Sequence, residues 1–141
     1  MSWVPFALVA ACFVGGHYLL LRAAAGRISD VAGALLLEGA ATIGIALYGI
    51  VRGGFASGWT RAGALAAVAS GVCISATSIL LFATLRRGGP VASTGTLVLG
   101  GGVVLSAVLA PLLFGEAVTA RRAVGVLLGV AGMIVLATEK A

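Results

Sequence analysis

Charge is what this sequence has least of. Asp30, Glu38, Glu116 and Glu139, with nine basic residues, make up 9% of the 141 residues, where a soluble domain carries about 25%. A chain so poor in charge cannot cover a water-facing surface, which excludes an ordinary soluble globular protein. One histidine, two cysteines and four scattered acids exclude a catalytic triad, a carboxylate pair or a metal cluster. No catalytic residue, metal ligand or cofactor site is expected, and the chain does not read as an enzyme. Cys12 and Cys73 fall inside apolar runs without a CxxC and serve as small, membrane-compatible side chains. The net charge of +5 would suggest nucleic acid in a soluble protein. Here the arginines stand singly or in pairs at the ends of apolar runs, with no basic stripe and no interleaved aromatics. Nucleic acid is therefore not expected as a partner, and anionic lipid headgroups are.

What the sequence has instead is apolar length. Hydrophobic residues make up 61%, and the mean hydropathy is +1.20. Five runs, Trp3–Leu21, Val31–Val51, Ala62–Leu85, Val91–Phe114 and Ala120–Thr138, are long enough to cross a roughly 30 Å hydrocarbon layer as helices. Trp3, Trp59 and Tyr48 stand near run ends, where amphipathic rings favour the interface. The first run has no basic residue before it and is longer than a usual signal-peptide core, so it reads as a retained helix. Pro90 suits the first turn of the fourth helix, and Pro111 should kink or stop that helix near its far end. Arg121 and Arg122 lie at the mouth of the last run and must snorkel. The expected fold class is all-α: a polytopic protein of the cytoplasmic membrane, residues 1–141 forming one integral-membrane domain of five transmembrane helices.

Five crossings put the termini on opposite sides. Arg52, Arg61, Arg121 and Arg122 then fall on the N-terminal side, and Arg22, Arg27, Arg86, Arg87 and Lys140 on the other. The positive-inside rule acts through an asymmetry, and four against five is almost none. Weakly determined orientation, insertion both ways, and a single topology set by one or two dominant arginines are all compatible with that count.

The few polar groups inside the runs are the candidate functional residues. Glu38 sits among leucines and alanines, where a carboxylate costs on the order of 2–4 kcal/mol unless protonated or paired. His17 lies at a comparable depth in the first run, because both are close to the Arg22–Asp30 loop. Adjacent antiparallel helices could bring them together as a titratable pair for proton or cation coupling. The competing reading has Glu38 protonated in an interhelical hydrogen bond while His17 packs. In the third run, Ser70, Cys73 and Thr77 form one stripe and Gly71, Ser75 and Ser78 another, a broad polar-small face. In the fourth, Ser93, Thr96 and Gly100 share one stripe and Gly95, Gly102 and Ser106 another.

Glycine is abundant, with 22 residues, and in lipid small residues let helices approach closely. The triplet Gly100–Gly102 suits either a helix interruption beside a substrate site or close packing. In the fifth run, Gly125, Gly129 and Gly132 lie on one face as a helix-contact motif, more readily shared between copies than used within the chain.

Taken in order, the Trp-led first run, RRGGPVAS entering a small-residue fourth helix, and LLFGEAVTARRAVGVLLGVAGMIVLA at the end resemble a single EamA unit of the drug/metabolite transporter superfamily. The resemblance spans essentially the whole chain. Its most specific part is Gly115–Glu116, a short polar hinge and the glycine-spaced last helix. Larger members carry two such units in inverted orientation, so the resemblance implies an antiparallel dimer, in line with the independent charge count. The related small multidrug resistance proteins carry an essential acid in their first helix. Here the first helix has His17, and the acid, Glu38, is in the second. The family's common proline ahead of the fourth helix's centre is also absent.

The resemblance implies a small secondary transporter that moves a metabolite or drug-like small molecule by alternating access. Its cavity would be lined by the first four helices of a homodimer, or of one copy and a related membrane subunit. Glu38 would be the ion or substrate contact and His17 its partner. Ser75, Ser78, Ser93 and Thr96 would supply hydrogen bonds, and Glu116 would be structural, pairing Arg121 or Arg122. Two alternatives stand beside it: one subunit of a lipid-linked sugar flippase, and a non-transporting assembly or regulatory subunit held by glycine-mediated contacts.

Overall fold

The five apolar runs become five helices in a computed structural model that describes residues 4–54 and 58–138. Trp3 and Lys140 lie outside the described residues. The helices are α1 (Val4–Ala24), α2 (Asp30–Arg52), α3 (Arg61–Arg86), α4 (Val91–Phe114) and α5 (Ala120–Ala137). All five are long and apolar enough to cross a membrane, and the chain is an all-α, multi-pass integral membrane protein. Large apolar side chains such as Val51, Leu112, Phe13 and Leu20 stand exposed along the helices, the surface expected where lipid is the solvent.

α2 and α3 pass their apolar runs by one residue at each end, where capping groups and charged residues complete them. Ser29 caps α2 by accepting the Ala32 N–H at 3.2 Å, Thr60 caps α3 through the Gly63 N–H at 3.1 Å, and Thr119 caps α5 through the Arg122 N–H at 3.2 Å. Asp30 and Arg86, which hydropathy alone leaves outside, are the first residue of α2 and the last of α3. Pro90 takes the N-cap position of α4 rather than its first turn, and its carbonyl accepts the Thr94 N–H at 2.8 Å. Pro111 stays inside α4, which ends one turn later at Gly115. There φ is +66°, a conformation glycine adopts without strain. α4 runs unbroken through Gly100–Gly102, so the triplet does not interrupt the helix.

The chain forms two compact units. One comprises residues 4–19 and 88–138, in which α4 packs on α5. A side chain at Gly100 would stand 2.9 Å from Met133 Sδ, so the missing Cβ admits that thioether. A Cβ at Gly95 would likewise stand 3.3 Å from the Tyr18 ring. Ser93 and Thr94 are buried in this unit.

The other unit, Leu20–Arg87, pairs α2 with α3 and holds Leu21, Ala34, Leu81, Phe82, Ala83 and Leu85 as its buried apolar residues. Gly33 lets the helices close, since a Cβ there would lie 2.7 Å from the Phe82 ring. Arg22, near the end of α1, donates through Nη1 to the Leu85 carbonyl. That carbonyl is one of the last four of α3, which lack intrahelical donors, and a cation at a helix C-terminus is favoured.

Candidate functional site

The polar residues of α2 and α3 organise around an edge and an interior. At the edge, Arg86 grips Asp30 with two parallel bonds, Nε to Oδ1 at 2.9 Å and Nη2 to Oδ2 at 2.7 Å, the bidentate geometry that guanidinium and carboxylate share. Moving inward along both antiparallel helices, Gly33 meets Phe82. Farther in, the Ser78 hydroxyl donates to Glu38 Oε1 at 2.5 Å. With a helical rise of 1.5 Å per residue, Glu38 and Ser78 lie about 12 Å inside the Asp30–Arg86 pair, well within a hydrocarbon layer of roughly 30 Å.

Ser78 behaves differently from Ser75, Thr77 and Thr84 of the same helix. Ser75, Thr77 and Thr84 each donate back to the carbonyl four residues earlier, at 2.9, 2.9 and 2.8 Å. This local bond satisfies a hydroxyl without help from another helix. Ser78, 6% exposed, reaches across to α2 instead. Glu38 is half-buried, and its own carbonyl accepts the Thr42 hydroxyl at 2.8 Å. The carboxylate is thus held by Ser78 while part of it stays open.

In the other unit, α1 and α4 flank an open groove of about 820 Å³. Its α1 side runs along Ala7, Ala11, Val14 and Tyr18, and its α4 side includes Gly95, Thr96 and Leu99. Thr96 and Tyr18 supply the hydroxyls of a lining that is otherwise apolar. Ser93 is buried, at 4% exposure. His17 makes an edge-on contact with Tyr18, ring centroids 5.6 Å apart and planes at 82°.

Of the six residues expected to contact an ion or substrate, the structure therefore joins Glu38 to Ser78. Ser75 turns its hydroxyl back along α3, and Thr96 lines the groove. His17 belongs to the first unit, whereas Glu38 belongs to the second, where its carboxylate is bonded to Ser78. Gly125, Gly129 and Gly132 meet no neighbour, since a Cβ on any of them would find nothing within 4 Å among the described residues. Glu116 pairs with Arg122 rather than Arg121, at 2.6 Å.

Sequence reasoning passed over Asp30, Arg86, Arg22 and Phe82. The signal was present for the first two, because an acid opening one helix and a base closing the next lie at the same end of an antiparallel pair. Nothing in the sequence marked Phe82 as the partner of Gly33. No family model matches the chain, and no match is found among the curated proteins or the solved structures.

Proposed function

We propose that the chain is a subunit of a small secondary transporter for a metabolite or drug-like solute, with Glu38 as its coupling or substrate contact. The observation that carries this reading is a carboxylate set about 12 Å into the membrane span and held by one neutral hydroxyl. No counter-ion within its unit neutralises it among the described residues. Intramembrane acids are costly and are characteristically found on ion and substrate pathways. A hydroxyl can donate to the ionised carboxylate and accept from the protonated acid, so Ser78 can serve Glu38 in both states of a proton cycle. The near-equal division of basic residues and the resemblance to an EamA unit favour an antiparallel pair of subunits in the cell membrane. The open glycine face of α5 offers such a pair a contact.

The test places a cysteine at position 38 (Glu38→Cys) after Cys12 and Cys73 have been replaced by alanine, and exposes it to a membrane-impermeant maleimide. Labelling supports a wet pathway, and protection removes it. In vesicles bearing a pH gradient, Glu38→Gln should insert normally and lose coupled uptake across a panel of drug-like and metabolite solutes. Reporters fused after Ala141 should signal from both sides of the membrane if one gene product supplies both orientations.

A second reading rests on the same bond. Ser78–Glu38 can act as an interhelical tie in a non-transporting assembly subunit. Position 38 is then dry, and the maleimide result separates the two.

A further inference from the structure

The α2–α3 unit is packed at one end and not at the other. In α2 the buried residues are Gly33 and Ala34, and in α3 they begin at Ser78 and end at Leu85. All of them lie on the rungs between the Asp30–Arg86 pair and the Glu38–Ser78 bond. Beyond that bond, toward Arg52 and Arg61, neither helix has a buried residue. The glycines show the same division. A Cβ at Gly33 would strike the Phe82 ring at 2.7 Å, whereas a Cβ at Gly39, Gly44 or Gly71 would meet nothing within 4 Å.

The two halves also differ in what ties the helices together. Among the described residues, the side-chain bonds between α2 and α3 are those of Arg86 to Asp30 and Ser78 to Glu38. Thr42 and Ser75 stand about one turn past Glu38 and Ser78, and both are exposed. Their hydroxyls donate to the Glu38 and Gly71 carbonyls of their own helices, so neither draws that half together. At the packed end, water moving along the seam toward Glu38 first meets the ion pair. Next comes Leu85, fully buried, its carbonyl taken by Arg22. Last is the Phe82 ring, 3% exposed, seated where Gly33 has no side chain. Packing this close leaves few voids as large as a water molecule.

We propose that this end is a closed gate on Glu38, made by the Asp30–Arg86 pair and by Phe82 on Gly33, and that the carboxylate is reached from the Arg52–Arg61 end. The proposal rests on the transport reading and adds to it the side from which the acid is loaded in this conformation. Passage to the other side requires the Arg86–Asp30 bonds to break and the ring to leave Gly33. The parts suit that task. An exposed ion pair contributes little net stability, so it can part and re-form. A ring against bare backbone makes dispersion contacts that weaken steeply when the helices separate slightly.

The test uses the full chain with Cys12 and Cys73 replaced by alanine, in membranes permeabilised so that an impermeant maleimide reaches both faces. Ala34, Glu38 and Thr42 lie four residues apart on one stripe of α2, and each is changed to cysteine in turn. Glu38→Cys and Thr42→Cys should label, and Ala34→Cys, at a position 5% exposed, should not. Adding Asp30→Asn to Ala34→Cys should raise its labelling up to about fivefold, the most that one exposed ion pair accounts for. The same change should leave Thr42→Cys as it was, and Phe82→Leu should act as Asp30→Asn does.

Equal labelling at positions 34 and 42, or no response of position 34 to either rim variant, would overturn the gate and leave the transport reading standing. Labelling at 38 with protection at 42 would also overturn it, because access would then come from another direction. Protection at 38 and 42 together removes the wet pathway, and with it both the transport reading and the gate. If the rim variants do not fold, the comparison of positions 34 and 42 with the rim intact decides.

Discussion

The Ser78 hydroxyl and the Glu38 carboxylate meet across two helices whose register is set at the membrane edge. Ser78 lies eight residues before Arg86, Glu38 lies eight residues after Asp30, and Asp30 and Arg86 are themselves paired. An antiparallel pair advances equally along both helices, so the outer ion pair and the inner hydrogen bond are two rungs of one alignment. Gly33 against Phe82 lies between them and sets how closely the helices approach. The polar interior of this unit is held by geometry fixed at its rim.

Removing the inner rung should cost stability in a way that depends on its partner. Ser78→Ala should destabilise the protein by about 1–2 kcal/mol, the range for interhelical hydrogen bonds in membranes. Glu38→Gln combined with Ser78→Ala should cost less than the two single changes added together. Reversible unfolding in mixed micelles measures all four species. Strict additivity would mean that the two side chains do not interact in the membrane.

The outer rung should behave as a replaceable charge pair. Arg86→Asp or Asp30→Arg alone sets like charges against each other and should lower the yield of folded protein in mild detergent. The double exchange should restore it, because an exposed pair needs opposite charges facing each other rather than a particular order. Size-exclusion recovery of the three variants is the measurement, and failure of the exchange to rescue would remove the pair from the account of register.

Between the rungs, Gly33 should tolerate no side chain. Gly33→Ala brings a methyl carbon to 2.7 Å from the Phe82 ring, and overpacking of this kind costs about 1–3 kcal/mol. Phe82→Leu in the same chain should return part of that loss, since a branched aliphatic side chain vacates the space where the ring lies. Thermal unfolding of the single and double variants checks both halves. No destabilisation in Gly33→Ala would mean that the helices are farther apart than described.

Hydropathy made the five helices legible because a bilayer demands about 20 consecutive apolar residues and little else. It placed Glu38 as a lone acid in the second helix and Ser78 on a polar-small face of the third. Their meeting was not readable, because rotation about a helix axis depends on packing, and the packing residue Gly33 looks like any other of the 22 glycines. The apolar runs stop one residue inside the ends of α2 and α3 for a related reason. Asp30, Arg52, Arg61 and Arg86 are helical despite their charge, since long arginine side chains reach the interface while their backbone stays in the helix and an acid is favoured in a helix's first turn. The triplet at Gly100 was ambiguous between interruption and packing. The structure assigns Gly100 to Met133, a contact with no sequence signature.

The glycine stripe of α5 separates contacts within a copy from contacts between copies. No residue of α5 is buried, and a Cβ at Gly125, Gly129 or Gly132 meets nothing within 4 Å among the described residues. Gly129→Leu should therefore leave the folded chain intact and should gain slightly in helix propensity. If two copies pack through this stripe, the added side chain holds the helices apart and should weaken association about tenfold, or roughly 1.4 kcal/mol. Energy transfer between labelled copies, measured over a range of protein-to-lipid ratios, reads that change directly. Association equal to that of the unmodified protein would show that the stripe faces lipid, and an antiparallel pair would then have to form through other helices.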